Sequence, residues 1–296
     1  MTATRIGVVI VNYGRHMTLE TPEGQRVSCR IKGRELHPVC GDEVRWQPLA
    51  DGSGLITHIE GRRSLLVRQD PRHGQRPLAA NVDRMLVMVA PRPELDPFML
   101  DRYLAAAEVL RLSALLVFNK TDLLTDIESS ECNRRLDEFI AIGYAMLKVS
   151  VRSGEGLQTV KEALRGHTSV VLGQSGAGKS SLLKALVPEA EIRIGEISQA
   201  TDEGRHTTSV ATLYHLPEGG ALIDSPGVRN FHLWPLPPAQ LAQCFVEFRK
   251  YAPQCRFSNC LHEQEPGCAV TAAVTNGAIS ARRYQSYRSI TLAAKS

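Results

Sequence analysis

Residues 173 to 181 read GQSGAGKSS, which has the spacing of a phosphate-binding P-loop. Its small residues let successive backbone N–H groups turn toward phosphate oxygens at the start of a helix. Lys179 supplies a cation for the β and γ phosphates, and the hydroxyl of Ser180 suits a phosphate-bound Mg²⁺. A glycine-rich turn is the plain alternative, but an apolar strand precedes the motif and a helix follows it. We therefore assign nucleotide binding to Gly173, Gln174, Ser175, Gly176, Ala177, Gly178, Lys179, Ser180 and Ser181.

A second motif, NKTD at residues 119–122, follows the apolar run 114–118. The carboxylate of Asp122 can accept hydrogen bonds from N1–H and the 2-amino group of guanine, and adenine has no such pair of donors. Ser150 follows another apolar run and fits the last guanine-contacting loop. Alone, the motif would be read as a polar turn. Beside a P-loop it predicts a guanine site made of Asn119, Lys120, Thr121, Asp122 and Ser150.

Two further segments carry groups that a GTPase uses around the γ phosphate. Asp224 ends an apolar strand and can hold Mg²⁺ through water, and the N–H of Gly227 can reach the γ phosphate. The run GRHTT at residues 204–208 offers hydroxyl groups, although the pattern does not separate its two threonines. The residues assigned to the GTP site here are Thr207, Thr208, Asp224 and Gly227. The Mg²⁺ ligands are assigned to Ser180 and Thr208.

The order of these motifs is unusual. In an ordinary GTPase the P-loop comes first and the guanine-reading element fourth, whereas here NKTD precedes GQSGAGKSS, GRHTT and DSPG. The motifs keep their usual cyclic order, but the chain begins and ends at a different point in that order. A domain tolerates such a circular permutation when its termini lie close together at the surface. The segment that senses the γ phosphate therefore leads almost directly into the C-terminal part of the chain.

Four metal-binding side chains lie within fourteen residues near the C-terminus, spaced CxxxxCxHxxxxxC. Three thiolates and one imidazole suit tetrahedral Zn²⁺ in a closed structural site, with no position left for a catalytic water. Unrelated buried thiols beside a surface histidine are the alternative, since the spacing departs from the commoner CxxC pairs. The predicted zinc ligands are Cys255, Cys260, His262 and Cys268. The other cysteines suggest no disulfide framework, which fits a reducing, cytoplasmic compartment.

The composition, with 43% hydrophobic and 22% charged residues in 296, is that of a globular protein, and no apolar run is long enough for a membrane span. Positive charge is concentrated in the two flanks, whereas residues 77–234 are net acidic. Solvated surface charge explains any single basic residue, but the segregation favours a polyanionic partner. The basic residues that could meet phosphates are Arg15, Arg26, Arg30, Lys32, Arg34, Arg62, Arg63 and Arg68, and, in the other flank, Arg249, Lys250, Arg256, Arg282, Arg283 and Arg288.

Five short runs rich in β-branched residues predict a small closed barrel at the N-terminus, either an OB-fold or an SH3-like barrel. These runs are 6–12, 16–20, 25–32, 43–47 and 54–60. The segment 70–77, with two prolines and a glycine, is the predicted linker. The predicted domains are 1–70 for an OB-like, RNA-binding β-barrel, 78–234 for a nucleotide domain and 235–296 for a helical zinc-binding module.

Strands and helices alternate in the middle segment, which predicts a mainly parallel sheet covered by helices on both faces. Asp96 and Pro97 supply an N-cap and a first helical residue. The predicted strands are 82–90, 114–118, 145–149, 169–172 and 221–223, and the predicted helices are 97–110, 131–142, 157–164 and 181–187.

Two helices are predicted after the prolines that end the nucleotide domain. The first covers 239–251, with its apolar residues on one face, and the second covers 279–292. Tyr284 and Tyr287 in the second helix fit core positions better than base-stacking positions. A zinc-stapled helical module should therefore end the chain.

A basic OB-like barrel, a permuted nucleotide domain and a CxxxxCxHxxxxxC module together resemble the RsgA (YjeQ) family, bacterial GTPases that depend on the small ribosomal subunit. The resemblance spans nearly the whole chain, and motif order plus zinc spacing makes it more specific than any single motif. It implies hydrolysis of GTP to GDP and phosphate, with Mg²⁺ bound beside GTP and one structural Zn²⁺. It also implies binding to the 30S subunit late in its assembly, through contacts of the barrel and zinc module with 16S rRNA, and release on hydrolysis. We expect a cytoplasmic monomer.

The residue that positions the attacking water is not the usual one. Ras-type GTPases use a glutamine next to the DxxG glycine, but here that neighbour is Val228, which has no polar group. His206 is the predicted catalytic residue, supported by the resemblance, and Arg205 is a candidate charge stabiliser. A plain loop role for His206 is the alternative. We expect slow hydrolysis by the chain alone and faster turnover when the small subunit orders the loop.

Two other functions fit the motifs. One is a nucleotide-gated RNA-binding switch or placeholder in which hydrolysis is incidental. The other is an ATP-dependent P-loop enzyme acting on RNA, which requires Asp122 to be idle. Competition of ATP against GTP separates the last from the others.

Overall fold

The structure, a computed structural model, describes residues 4–33, 35–70, 74–188, 211–224 and 236–295. Its first five strands are β1 (Arg5–Asn12), β2 (His16–Glu20), β3 (Arg26–Ile31), β4 (Glu43–Pro48) and β5 (Gly54–Ile59). They run in the order β1-β2-β3-β5-β4, and β4 pairs again with β1 to close a barrel. Val9, Leu19 and Trp46 fill the interior because alternate residues of each strand point inward. The predicted OB-like barrel is confirmed.

A two-stranded hairpin follows the barrel, formed by β6 (Leu65–Asp70) and β7 (Gly74–Ala80). The prediction of a linker over 70–77 is therefore wrong. Pro77 lies where the register shifts between Leu66 and Val67, and such an irregularity tolerates a residue that has no N–H. Leu66 and Leu78 are buried in the core of the nucleotide domain, so the hairpin is part of that domain's packing.

Within the described residues the nucleotide domain contributes six strands, with the parallel pairing predicted for five of them. They are β8 (Arg84–Val89), β9 (Ser113–Phe118), β10 (Ala145–Lys148), β11 (Thr168–Gly173), β12 (Ala211–His215) and β13 (Ala221–Asp224). Their order is β10-β9-β8-β11-β13-β12, and only the β12–β13 pair is antiparallel. Strand β12 was not predicted. It pairs with β1 on its other side, so barrel and nucleotide domain form one eleven-stranded sheet.

Helices cover both faces of this sheet, as predicted. They are α1 (Pro97–Leu110), α2 (Asp126–Ala141), α3 (Leu157–Leu164) and α4 (Lys179–Leu186). Successive residues of β8 alternate between two cores, because Met85 and Val87 pack with α1 and α2 whereas Leu86 and Met88 pack with α3 and α4. The carboxylate of Asp96 accepts the N–H groups of the first turn of α1, which confirms the predicted cap.

The C-terminal part is helical but more broken than predicted. It contains α5 (Pro238–Cys244), 3₁₀ turns at Val246–Lys250 and Ala252–Gln254, then α6 (Ala269–Thr275) and α7 (Ala281–Lys295). The prediction of one helix over 239–251 is wrong, because the backbone is extended at Phe245. This break lets the rings of Phe245 and Phe248 stack on each other in the core and pack edge-to-face with Tyr287. Helix α7 confirms the second predicted helix, α6 was not predicted, and none of the described helices is long and apolar enough to cross a membrane.

Candidate nucleotide and metal sites

The P-loop connects β11 to α4, so it has the strand–loop–helix context that the motif requires. Its glycines are sterically necessary. A Cβ on Gly173 would stand 2.2 Å from the carbonyl oxygen of Met88, and one on Gly178 would stand 2.2 Å from Nδ2 of Asn119. Both glycines also have positive φ. Any other residue type would have to displace the β8 backbone at Met88 or the side chain of Asn119.

The side chain of Lys179 turns back over the loop. Its Nζ lies 2.6 Å from the carbonyl oxygens of both Gly173 and Gln174. These contacts hold the ammonium group above the curl of the loop, where phosphate oxygens can replace the carbonyls as acceptors. Ser180 and Ser181 are exposed in the first turn of α4, at the positive end of the helix dipole. The arrangement is suited to a polyphosphate.

Asn119 joins the guanine motif to the P-loop. Its side chain is buried, its Nδ2 donates to the carbonyl oxygen of Ala177 at 2.9 Å, and its Oδ1 accepts the N–H of Val151 at 3.2 Å. The neighbouring Lys120 has a left-handed backbone and donates from Nζ to the carbonyl oxygen of Arg92 at 2.8 Å. Four loops at the carboxyl ends of the parallel strands β8, β9, β10 and β11 are thereby fixed relative to one another.

The carboxylate of Asp122 is exposed at this edge and is oriented by Ser150. The Ser150 hydroxyl donates to Oδ1 of Asp122 at 2.6 Å and accepts the N–H of Ser153 at 3.2 Å. Ser150 itself is fully buried, so its hydroxyl is a fixed donor. Thr121 opens the 3₁₀ turn that carries Asp122. Since each carboxylate oxygen accepts more than one hydrogen bond, Asp122 retains capacity for a guanine base.

The γ-phosphate side is described only at Asp224, which ends β13 beside the P-loop strand and is half-buried. The other residues predicted on this side of the site lie outside the described residues: Arg205, His206, Thr207, Thr208, Gly227 and Val228. Two of the basic residues that could meet phosphates are also not described, namely Arg34 and the side chain of Arg68.

The four residues of the CxxxxCxHxxxxxC motif meet in one cluster, with their ligand atoms within 4.8 Å of one another. The Sγ atoms of Cys255 and Cys268 are 3.9 Å apart, and Nδ1 of His262 lies 3.6 and 3.4 Å from them. A tetrahedral ion with metal–sulfur bonds of about 2.3 Å requires sulfurs about 3.8 Å apart. With Cys260 as the fourth member, the cluster has the dimensions and donor types of a tetrahedral metal site.

Side chains of the helical module support this cluster through hydrogen bonds and ring packing. The hydroxyl of Tyr284 donates to the carbonyl oxygen of His262 at 2.7 Å, and that of Tyr287 donates to the carbonyl oxygen of Leu261 at 2.6 Å. The ring of Phe248 packs edge-on against the imidazole. Both tyrosines therefore have the core role that the sequence favoured.

The protonation of the cluster depends on its local hydrogen bonds. Burial raises the pKa of Cys260 to about 12. Burial also acts on Cys268, but there the N–H of Thr271 donates to Sγ and lowers the pKa below its ordinary value. Burial lowers the pKa of His262, which favours the neutral imidazole that binds metals. Because a metal must displace the proton of Cys260, metal affinity will increase with pH.

Several of the basic residues expected to meet phosphates have other roles. Arg283 is 2% exposed and contacts Asp101 and Glu247, and Arg282 contacts Asp101 and Glu138. These two arginines connect α7 to α1, α2 and a 3₁₀ turn. The expectation that they bind a polyanion is therefore wrong, because their charge is neutralised inside the protein. Arg62 and Arg249 are also ion-paired, with Asp42 and Glu108.

Three residues that shape the sites carry no motif signal. Arg92 supplies the carbonyl oxygen that Lys120 contacts, and Pro93 lies 3.4 Å from where a Cβ on Gly176 would stand. Glu265 accepts three backbone N–H groups of the metal loop. Their roles depend on contacts between loops that are distant in sequence or on the folded loop itself, and residue spacing does not reveal these.

Comparison with known proteins agrees with this geometry. The RsgA GTPase family model matches residues 59–234. The Vibrio vulnificus (strain YJ016) protein named small ribosomal subunit biogenesis GTPase RsgA 1 is 43% identical over 292 residues, which cover 97% of this chain and 83% of that protein. The Vibrio cholerae protein named small ribosomal subunit biogenesis GTPase RsgA is 44% identical over 291 residues, which cover 96% of this chain and 75% of that protein.

Two solved structures share the whole architecture. YjeQ from Thermotoga maritima matches with a TM-score of 0.80 and 32% identity over 99% of both chains. YloQ, described as a circularly permuted GTPase, matches with a TM-score of 0.76 and 25% identity over 99% of this chain and 96% of its own. The permuted fold predicted from the motif order is confirmed. The chain therefore belongs to the RsgA GTPase family, and it is a GTP-hydrolysing enzyme.

Proposed function

We propose that this GTPase acts in the maturation of the small ribosomal subunit, where it binds 16S rRNA and is stimulated by the subunit. The observation that carries the nucleotide part is the Ser150–Asp122 hydrogen bond beside the Asn119–Ala177 contact, which aligns a guanine-selective carboxylate with the P-loop. The names of the relatives, small ribosomal subunit biogenesis GTPases, support the ribosomal part.

Each residue of the nucleotide site has a proposed role. Asp122 accepts N1–H and the 2-amino group of guanine, while the P-loop N–H groups and Lys179 bind the β and γ phosphates. Ser180 and Thr208 would hold Mg²⁺, which neutralises charge on the phosphates when bound. Asp224 supports that ion through water, and the N–H of Gly227 contacts the γ phosphate. Thr207 is also proposed to contact GTP.

His206 is proposed to orient the attacking water, because the usual glutamine is replaced by Val228. Replacing His206 by Ala should lower subunit-stimulated turnover while GTP affinity is retained. Single-turnover hydrolysis and calorimetry measure the two quantities. Unchanged stimulated turnover removes the residue from the mechanism.

The metal cluster is proposed to hold one structural Zn²⁺ per chain, bound by Cys255, Cys260, His262 and Cys268. All four positions are taken by protein ligands of the types that zinc prefers. Metal analysis of the purified protein should find one equivalent of zinc. Less than half an equivalent after purification without chelators would contradict this assignment.

The two flanks are proposed to contact RNA. We assign the barrel to residues 1–70, the GTPase domain to 78–234 and the zinc-binding module to 235–296, in a cytoplasmic monomer. Exposed basic residues remain for phosphates on the barrel strands, including Arg26 and Arg30 of β3. Helix α7 contributes less than its sequence suggested, since two of its arginines are paired internally.

GTP hydrolysis measured alone, with purified small subunits and with large subunits tests the proposal. We expect slow turnover alone, stimulation by small subunits and none by large ones. Equal rates in all three reactions would favour a switch or placeholder in which hydrolysis is incidental. Displacement of bound GTP by equimolar ATP would contradict the guanine assignment.

A further inference from the structure

The barrel and the hydrolytic site share hydrogen-bonded strands. Strand β1 pairs with β12, with Val11 opposite Thr212 and Asn12 opposite Ala211. Strand β12 pairs in turn with β13, where Thr212 lies opposite Asp224. One rung of the sheet therefore runs from Val11 in the barrel through Thr212 to Asp224, the residue proposed to support Mg²⁺.

Asp224 depends on this side of the sheet. Strand β13 is four residues long, and its ladder with the P-loop strand ends, among the described residues, at Val170 opposite Ile223. Asp224 lies one residue beyond that last pair, and its ladder partner is Thr212 on β12. The backbone of Asp224, which carries the carboxylate, is thus positioned by β12 more directly than by the P-loop strand.

The barrel holds β12 at both ends. At one end are the two backbone pairs with β1. At the other end, Nε2 of His215 lies 2.6 Å from Oε1 of Glu20 on β2. Apolar packing supports the same junction, since Ile10 of the barrel and Leu213 of β12 belong to one core. Without the barrel, β12 would be an edge strand with unpaired backbone groups.

We propose that strands β1 and β2 of the barrel are a positioning element for GTP hydrolysis, because they hold β12 in register and β12 fixes the carboxylate of Asp224 relative to the P-loop. The inference rests on the proposed role of Asp224. Glu20 and His215 are positioning residues in this scheme, since neither belongs to the nucleotide motifs. An RNA bound to the barrel then acts on hydrolysis through this rung, without reaching the site itself.

A charge swap tests the junction. His215→Glu places a second carboxylate beside Glu20, and the repulsion between two like charges at this distance weakens the contact between β12 and β2. We expect kcat for GTP hydrolysis to fall about threefold to tenfold and KM to change less than about twofold, because the P-loop and guanine motif are untouched. The double variant H215E/E20K restores opposite charges and should return kcat to within about twofold of wild type. His58→Glu, the same change at an exposed histidine of β5, is the matched control and should leave kcat unchanged.

Amide hydrogen exchange at residues 211–215 supplies a readout that does not depend on hydrolysis. Exchange should be faster in H215E and slow again in H215E/E20K. If wild-type turnover is not stimulated by small subunits, the proposed function fails while these two measurements still decide the present inference. Wild-type exchange in H215E, faster exchange with unchanged kcat, or a double variant no better than the single one each overturns it.

Discussion

At the scale of single residues, the proposed selectivity for guanine depends on the orientation of one carboxylate. Asp122 is exposed, so its direction is not set by packing. It is set by the hydroxyl of Ser150, which is buried and itself fixed by the N–H of Ser153. A surface carboxylate held in this way loses less conformational entropy when a base binds, which improves affinity.

Asp122→Asn should change which purine nucleotide binds. An amide presents an NH₂ donor toward a base that itself presents two donors, so we expect GTP affinity to fall on the order of 100-fold. Xanthine carries a carbonyl where guanine carries the 2-amino group, so XTP should bind the variant more tightly than GTP. Calorimetry with GTP, XTP and ATP measures this. Glu155→Gln, a nearby exposed carboxylate, is the control, and an Asn variant that still prefers GTP would contradict the assignment.

At the scale of elements, the metal loop is organised by a carboxylate as well as by its ligands. Glu265 accepts the N–H groups of Leu261, Glu263 and Gln264 at 2.8 to 3.1 Å. Burial raises the pKa of this carboxyl, but the backbone donors outweigh that effect and lower it to about 2. The ionised side chain therefore satisfies donors that the short loop could not pair by itself.

Glu265→Gln should weaken the loop in a pH-dependent way. The folded pKa of about 2 lies below the ordinary value of 4.5, so the stabilisation is complete above pH 4.5 and is lost as the pH falls toward 2. The difference in unfolding free energy between wild type and variant should be constant from pH 7 to 5 and shrink at pH 3.5. Denaturant unfolding at these pH values measures it. Glu263→Gln is the control, and a difference independent of pH would contradict the assignment.

Elements with a strong local signal could be predicted from the sequence, and those that depend on a partner could not. The P-loop, the Asp96 cap and the barrel strands follow from residue types and spacing alone. Strand β12 lies between β1 and β13, and its pairing with a strand some 200 residues away is not encoded locally. The break at Phe245 also depends on contacts that are distant in sequence, since it places two phenylalanines against Tyr287. The clustering of the three cysteines with His262 could be predicted because four metal-binding side chains within fourteen residues are typical of one metal site.

At the scale of the whole molecule, the three predicted units share their interiors. The nucleotide-domain core includes Ile10 and Val11 from the barrel, and the C-terminal core includes Ala105 from α1. Composition shifts and prolines suggested separable domains, but burial shows that removal of either flank would expose apolar surface. Rearrangements between the units must therefore break specific contacts rather than pivot on a loose linker.

Arg283 attaches the C-terminal module to α1 through its ion pair with Asp101 at 2.6 Å, and it also contacts Glu247 within the module at 2.7 Å. Arg283→Met leaves Glu247 without its partner in a buried place, so we expect a loss of about 3–5 kcal/mol in stability. The double variant R283M/E247L should recover part of it, because no unpaired charge remains there. Arg249→Met removes an exposed pair and should cost about 1 kcal/mol or less.

Denaturant unfolding of these variants, combined with limited proteolysis of the C-terminal module, separates the outcomes. If the arginine attaches the module to α1, R283M should release a protease-sensitive C-terminal segment before the nucleotide domain unfolds, while R249M should behave as wild type. Equal losses for R283M and R249M would show that the buried network does not hold the module. In that case the apolar contacts around Tyr287 and Phe245 would have to carry the attachment, and Tyr287→Ala would be the more damaging change.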